Sequence, residues 1–445
     1  MPKSDDVPAC PSIPVVRSTV REARDYSVEL VTPLFGGGVE PRVNDLRFPI
    51  RPTAIRGQLE FWWRATVGAQ YDSVKKLREE QSKVWGDTTR ASRVDVLVDN
   101  VQAGEPTPCA RIEWNPRARQ GQGAWRINWQ APFNGQGSSL PYALFPFQGE
   151  TPPPNQNATI DVPPATCIQQ ASFRLVIQCP KDLWPQVELA VDAWVNFGGL
   201  GGRTRRGCGA VSCRKLAPKD RNDLIRLCEP FVLNAAAPRD WPTLAAAILV
   251  GGEQSNAIAA WNHVIERVRQ FRQGEGVGRN PGQGNRPGRS RWPEPESIRR
   301  VTRQRNSQHQ RTASIPDTAF PRAELGLPIV FHFKDQGEPP DTVLYPAAGP
   351  EGKRERMASP LILKPLALQN GKYVPLIVRL KTPQLEAVDL RQGEQSLPLP
   401  SPTLIRGANL AQYQNSPMQN RSATGSAIEA FLAYAREQGF TEVTR

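Results

Sequence analysis

The stretch from Leu183 to Leu216 constrains this chain more than any other. Trp184 to Phe197 reads as a helix, and Ala210 to Cys213 reads as a short strand. Between them, Gly198 to Gly209 holds six glycines and three arginines in twelve residues. Glycines at that density let the backbone take positive φ and come close to a bulky ligand. The arginines bring fixed charge and planar donor forks that match phosphate oxygens. The segment is not a Walker loop. No lysine precedes Thr204, Phe197 stands where the first glycine is needed, and the loop follows a helix rather than a strand. A flexible, solvated hairpin is the bland alternative. We read the loop instead as a seat for an anionic polymer.

Composition points the same way. A chain of 445 residues has room for two domains and a small third, and 39% hydrophobic residues are enough for real cores. The formal charge of +13 favours a polyanionic partner. Arginine carries most of it, 44 against 12 lysines, a bias that bidentate phosphate contacts and stacking on bases would use. Met1 to Arg24 lacks an apolar segment, and no run approaches the roughly 18 residues of a membrane span. Seven cysteines from Cys10 to Cys228 show no metal-ligand spacing, and Cys208 and Cys213 have no second pair to complete a zinc site. The expectation is a protein of a reducing cytoplasm, with no membrane contact, no metal and no cofactor.

Residues 1–22 are polar and proline-dotted and read as a leader. Tyr26 to Thr32 alternates as a first strand, and Pro33-Leu34-Phe35-Gly36-Gly37-Gly38 turns the chain. The spacing predicts a helix from Thr53 to Val67 behind Pro52, with Ile55, Leu59, Trp62 and Thr66 on the core side. Arg56, Glu60 and Arg64 share its other side, and Trp63 lies at the seam. Residues 68–172 read as an insertion of hairpins and loops, with strands at Val94 to Asp99 and Trp125 to Trp129. Ser172 to Cys179 is a further strand, leading into the helix and the glycine–arginine loop. The first 216 residues thus run β–α–β–β–α–β, the split βαβ order of ferredoxin-like and RNA-recognition domains, without the paired strand aromatics of the latter.

Residues 221–272 read as helical, with Leu244 to Val250 and Ala257 to Phe271 as the better segments. Arg267 to Arg311 is the most basic part, twelve arginines against three glutamates, and reads largely as a mobile loop. Within it, Gly288-Arg289-Ser290-Arg291-Trp292-Pro293-Glu294 mixes guanidinium with an aromatic, a combination that grips single strands. Strands at Leu327 to Lys334, Leu361 to Leu368 and Tyr373 to Lys381, and a helix near Thr424 to Gln438, make the second half another α+β module without a clean internal repeat.

Three segments carry a family resemblance. Thr32 to Gly38, the paired-tryptophan run Ile55-Arg56-Gly57-Gln58-Leu59-Glu60-Phe61-Trp62-Trp63-Arg64-Ala65 and the Gly198 to Gly209 loop resemble the RAMP proteins of type III-B CRISPR (Cmr) effector complexes, above all their first-numbered subunits. Gly288 to Glu294, Phe320 to Pro328 and Arg356 to Lys364 support it. In the family's pattern Glu60 replaces an arginine and Cys208 an aromatic, and the insertion at 101–166 has no counterpart. The resemblance implies an α+β chain of two tandem ferredoxin-like modules with large insertions: 23–219 with its insertion at about 68–172, and 220–445 with a basic loop at 272–311. It also implies a cytoplasmic ribonucleoprotein whose partners are other Cmr subunits, the guide RNA near its 3′ end and the target RNA paired there.

The expected RNA contacts are Gly199, Gly201, Gly202, Arg203, Thr204, Arg205, Arg206 and Gly207 in the loop. Arg51, Arg56, Trp63 and Arg64 join them from the first helix, and Arg289, Arg291, Trp292, Arg299 and Arg300 from the basic segment. No catalytic residue is assigned. A metal-free endoribonuclease is the first alternative, because some relatives cut guide precursors by acid–base chemistry. Its candidates are His263, His309 and His332, each read as packed, mobile or sheet-bound rather than catalytic. A scaffold that contacts only proteins is the second.

Overall fold

The computed structural model describes residues 20–443 apart from 39, 41, 117–123, 156, 233–238, 285–286, 310–316, 350–351 and 353. Most of the stretch read as a leader, and the Gly121 to Gly123 part of the insertion, therefore lie outside the described residues.

The first half runs β1 Arg21–Leu30, α1 Pro52–Ala65, α2 Val74–Trp85, β2 Asp95–Ala103, β3 Ala171–Pro180, α3 Trp184–Phe197 and β4 Val211–Ser212. Its antiparallel sheet is ordered β2-β3-β1-β4, with Tyr26 opposite Leu175 and Glu29 opposite Ser212. The second half runs α4 Arg221–Val232, β5 Thr243–Val250, α5 Ala257–Gln273, α6 Glu294–Thr302, β6 Ile329–Phe331, β7 Leu361–Ala367, β8 Tyr373–Lys381, α7 Ala427–Glu437 and β9 Thr441–Glu442. Its main sheet is ordered β7-β8-β5-β9, again antiparallel. Each sheet therefore takes its strands in the order second, third, first, fourth. The chain is α+β. A smaller sheet joins β6 to Thr342–Pro346, Val388–Gln392 and Gln395–Ser396.

Helix α1 forms where expected. Arg51 is extended as its N-cap, Pro52 begins it, and Ile55, Leu59 and Trp62 are buried. Trp63, read as a seam residue, is fully buried as well, and its indole N–H donates to Gln186 Oε1 at 2.9 Å. That bond and the Trp62–Phe197 ring contact at 6.1 Å pin α1 to α3. One apolar cluster joins both halves: Tyr26, Val28, Trp62 and Trp194 pack with Ile248, Ile362, Leu376 and Val378.

Four expectations are corrected. Leu244 to Val250, read as helix, is the inner strand β5. Its alanines favour helix, but a strand hydrogen-bonded on both edges with Ala247, Ile248 and Leu249 all buried also reads as a continuous apolar run. Residues 68–172 contain helix α2, whose N-cap Ser73 accepts from Lys76 N. The segment read as a mobile basic loop carries α6 and a bridge between Arg279 and Ser290. Strand β1 begins at Arg21, inside the expected leader. Among the described residues, no helix is long and apolar enough to cross a membrane.

Candidate nucleic-acid interface

The glycine–arginine loop is held on every side by the protein. Thr32 donates its hydroxyl to Gly207 O at 2.6 Å and accepts from Ala210 N at 2.8 Å. Gly209 N donates to Pro33 O, Gly202 N to Phe35 O and Leu200 N to Gly209 O, each at 2.8 Å. From the second half, Trp261 donates its indole N–H to Arg206 O at 2.6 Å. Lys364 on β7, fully buried, donates to Val195 O at 3.2 Å and Gly198 O at 2.9 Å, where α3 ends and the loop begins. Burial pushes its ammonium down to about 7.

The loop glycines have packing roles within the chain. Gly207 has φ of +83°, and a Cβ there would lie 2.5 Å from Trp261 Nε1 and 2.7 Å from Leu363 O. Its bareness admits the protein's own Trp261 indole. Gly199 is likewise buried and Gly202 spends its N–H on Phe35, whereas Gly201 is exposed. Thr204 is half-buried, its carbonyl accepting from Gly207 N at 3.0 Å.

The loop arginines fasten it further. Arg203 Nε donates to Ala143 O at 2.7 Å, Arg205 donates to Ser359 O, and Arg206 reaches Leu325 O at 3.4 Å and Leu361 O at 3.5 Å. Burial lowers the pKa of all three, Arg206 to about 10 under the added repulsion of Arg272, Arg203 and Arg205. Among the described residues no carboxylate pairs with them. Carbonyls take one or two N–H groups of each guanidinium and none of its charge, so the cluster favours an anion nearby.

A groove of about 1700 Å³ opens beside these side chains. Among the described residues, eleven arginines line it and Glu296 is the one carboxylate that does. It brings together Arg203, Thr204, Arg205 and Arg206 with Arg289, Arg291, Trp292 and Arg299, which lie far away in sequence. Arg291 Nε donates to Asn280 Oδ1 at 2.9 Å and Arg289 to Gln308 O at 3.4 Å, so both are positioned by neutral acceptors. Arg299 is neutralised by Glu338 at 2.6 Å. Trp292 lines the groove with Arg322 set over its ring at 5.7 Å. It is buried, donates to Arg272 O at 3.0 Å and meets Phe271 edge-on at 5.3 Å, so no base can stack on it.

The first helix does not reach the groove. Arg51, Arg56, Trp63 and Arg64 are not among its lining residues, and neither is Arg300. Arg56 pairs with Glu60 at 3.0 Å and donates to Trp85 O, and Arg64 bonds Gln81 at 3.3 Å. Helix α2 has taken the polar face that the sequence left for RNA. Conversely, Arg269, Arg272, Arg279, Arg322 and Arg356 line the groove without having been singled out. Arg269 and Arg272 stand three apart on the last turns of α5, a spacing that could have marked one face. Arg322 and Arg356 lay within the segments that carry the resemblance.

No group of three potential ligands able to hold a metal occurs among the described residues, and Cys109, Cys167, Cys179, Cys208 and Cys213 are buried thiols. His263 packs on Phe440 at 5.6 Å and His309 meets Glu338. His332 lines the groove with Nδ1 2.6 Å from Asp341.

Comparison with known proteins follows this geometry. A model described as the RAMP superfamily matches residues 27–212. "CRISPR system Cmr subunit Cmr1-1" of Pyrococcus furiosus is 25% identical over 177 residues, 39% of this chain and 44% of that protein. Cmr1-2 of the same organism is 29% identical over 82 residues, 18% of this chain and 42% of that one. The chain thus spans less than half the length of these curated relatives. Among solved structures, apo Cmr1 from Pyrococcus furiosus has a TM-score of 0.45 at 14% identity, covering 95% of this chain and 99% of that one. A chain of the type III-B Cmr-beta complex bound to cognate target RNA has 0.42 at 11%, covering 80% and 94%. Residues 27–212 thus match the RAMP superfamily, and the chain is similar to Cmr1 subunits of CRISPR systems.

Proposed function

We propose that this chain is a non-catalytic RNA-binding subunit of a type III-B CRISPR effector complex in the cytoplasm. Its groove would contact the guide RNA towards its 3′ end or the target RNA paired there, beside other Cmr subunits. One observation carries the reading: among the described residues eleven arginines line one groove, and all but Arg269, Arg299 and Arg322, which pair with Glu266, Glu338 and Glu294, have no carboxylate partner. Such a field attracts a polyphosphate, and planar guanidinium forks grip its oxygens. The shared second-third-first-fourth strand order supports reading the halves 23–219 and 220–445 as tandem ferredoxin-like modules.

The test is binding of a labelled guide RNA by the assembled complex across a salt series. The triple variant Arg272→Ala, Arg289→Ala, Arg291→Ala should weaken binding and flatten the slope of log affinity against log salt by about 2, at roughly 0.7 per phosphate contact on a single strand. An unchanged slope with unchanged affinity overturns the reading. Arg203, Arg205 and Arg206 are poorer targets, since their loss also unfastens the loop.

The endoribonuclease reading has one observation in its favour, the groove-lining His332 oriented by Asp341. An imidazole so held is a candidate base for a ribose 2′-OH. Metal-free incubation with guide precursor decides it: we expect no cleavage, and a product ladder lost in His332→Ala would establish the alternative.

A further inference from the structure

We infer that the groove takes unpaired RNA rather than duplex, with a base stacked on Phe145, a residue of the insertion that has no counterpart in the family pattern. The inference rests on the RNA-binding reading above and deepens it by naming the state of the strand.

Phe145 is 64% exposed, yet it lines a groove dominated by guanidinium groups. Its exposure does not come from a loose segment. Leu140, Ala143 and Leu144, in the helical turn just before it, are buried. Ala143 O accepts from Arg203, Ser139 N donates to Asn262 Oδ1 at 2.7 Å, and Phe147 stacks flat on Phe35 with centroids 4.4 Å apart and planes 5° from parallel. The fold thus anchors the chain on both sides of one phenyl ring and leaves that ring in water. Strand β6 repeats the pattern. Ile329 and Phe331 point inward, so Val330, 66% exposed, faces out, and His332 follows two residues on. Phe145, Val330 and His332 all line the groove.

Exposed rings and apolar side chains beside cations match a strand that shows base faces as well as phosphates. In A-form duplex the base faces are stacked on one another and only phosphates, 2′-hydroxyls and shallow base edges are offered. Duplex would satisfy the arginines and leave Phe145 and Val330 uncompensated. An unpaired strand satisfies both, the combination by which single strands are held without sequence preference.

The test uses the full chain with an oligoribonucleotide carrying 2-aminopurine, alone and annealed as a blunt duplex of the same sequence. We expect single-strand binding at least tenfold tighter than duplex binding, with 2-aminopurine quenched on binding. Phe145→Ala should weaken it by about tenfold, relieve the quench and leave the salt slope unchanged, while Phe145→Trp keeps both affinity and quench. Circular dichroism and melting confirm that the variants fold. If Phe145→Ala binds single strands as the wild type does while Arg289→Ala with Arg291→Ala loses affinity, the stacking inference fails and the groove reading stands. Duplex bound as tightly as single strand overturns it in the same way. If neither variant changes affinity, both fail.

Discussion

At the scale of single residues, the fastening of the loop depends on two positions, Gly207 and Lys364. Gly207 holds a left-handed φ against an indole. Gly207→Ala should therefore destabilise the protein by at least about 1–2 kcal/mol of backbone strain, with the clash against Trp261 added, measured by urea unfolding. Lys364 has a distinct pH signature. Its ammonium falls from an ordinary 10.5 to about 7 in the folded chain, so between those values the unfolded state binds more protons. Stability contributed by this site then rises with pH through that window and is flat below it. Lys364→Met should abolish the rise, which a comparison of unfolding midpoints at pH 6.5 and pH 9 detects. A wild-type rise that survives the substitution would assign the effect elsewhere.

At the scale of elements, the packing of α2 on α1 decides which arginines are free. Glu60 accepts from both Arg56 and Gln81, and Arg64 bonds the same Gln81, so the polar face of α1 closes against a helix. Arg64→Ala should change RNA affinity less than twofold, whereas Arg289→Ala weakens it. The reverse ranking would return the interface to α1. Helix α1, α3, β3 and β8 were legible because their periodicity and their burial agree. Strand β5 was not, since a run of alanines inside a sheet has the composition of a buried helix. Helix α2 was missed because it is polar along most of its length: Lys76, Glu79, Glu80 and Lys83 are salt-bridged at its surface, and its buried apolar residues are Leu77, Val84 and Trp85.

At the scale of the whole molecule, the two halves share a core and a loop. Tyr26 and Trp194 from the first half pack in one cluster with Ile248 and Val378 from the second, and Lys364 and Trp261 hold the first half's loop from the second. Residues 1–219 expressed alone should therefore lack the cooperative unfolding of the full chain and expose apolar surface to dye. A stable, cooperatively folding fragment would show that the halves are autonomous. The groove belongs to this scale as well, since its lining comes from residues as far apart as Ser138 and Asn415.

The amino-acid sequence alone was enough for the α+β class, helices α1 and α3 and the four sheet strands of the first half, the arginine excess and the family resemblance. These depend on local periodicity, composition and short motifs, which a linear reading captures. Only the tertiary structure decided which arginines line the groove. It packed Gly199 and Gly207 against the chain, set α2 against the polar side of α1 and assembled a cationic groove from distant segments with Phe145 displayed in it. The physical reason is that a guanidinium's availability depends on what packs against it, and that partner can lie a hundred residues away.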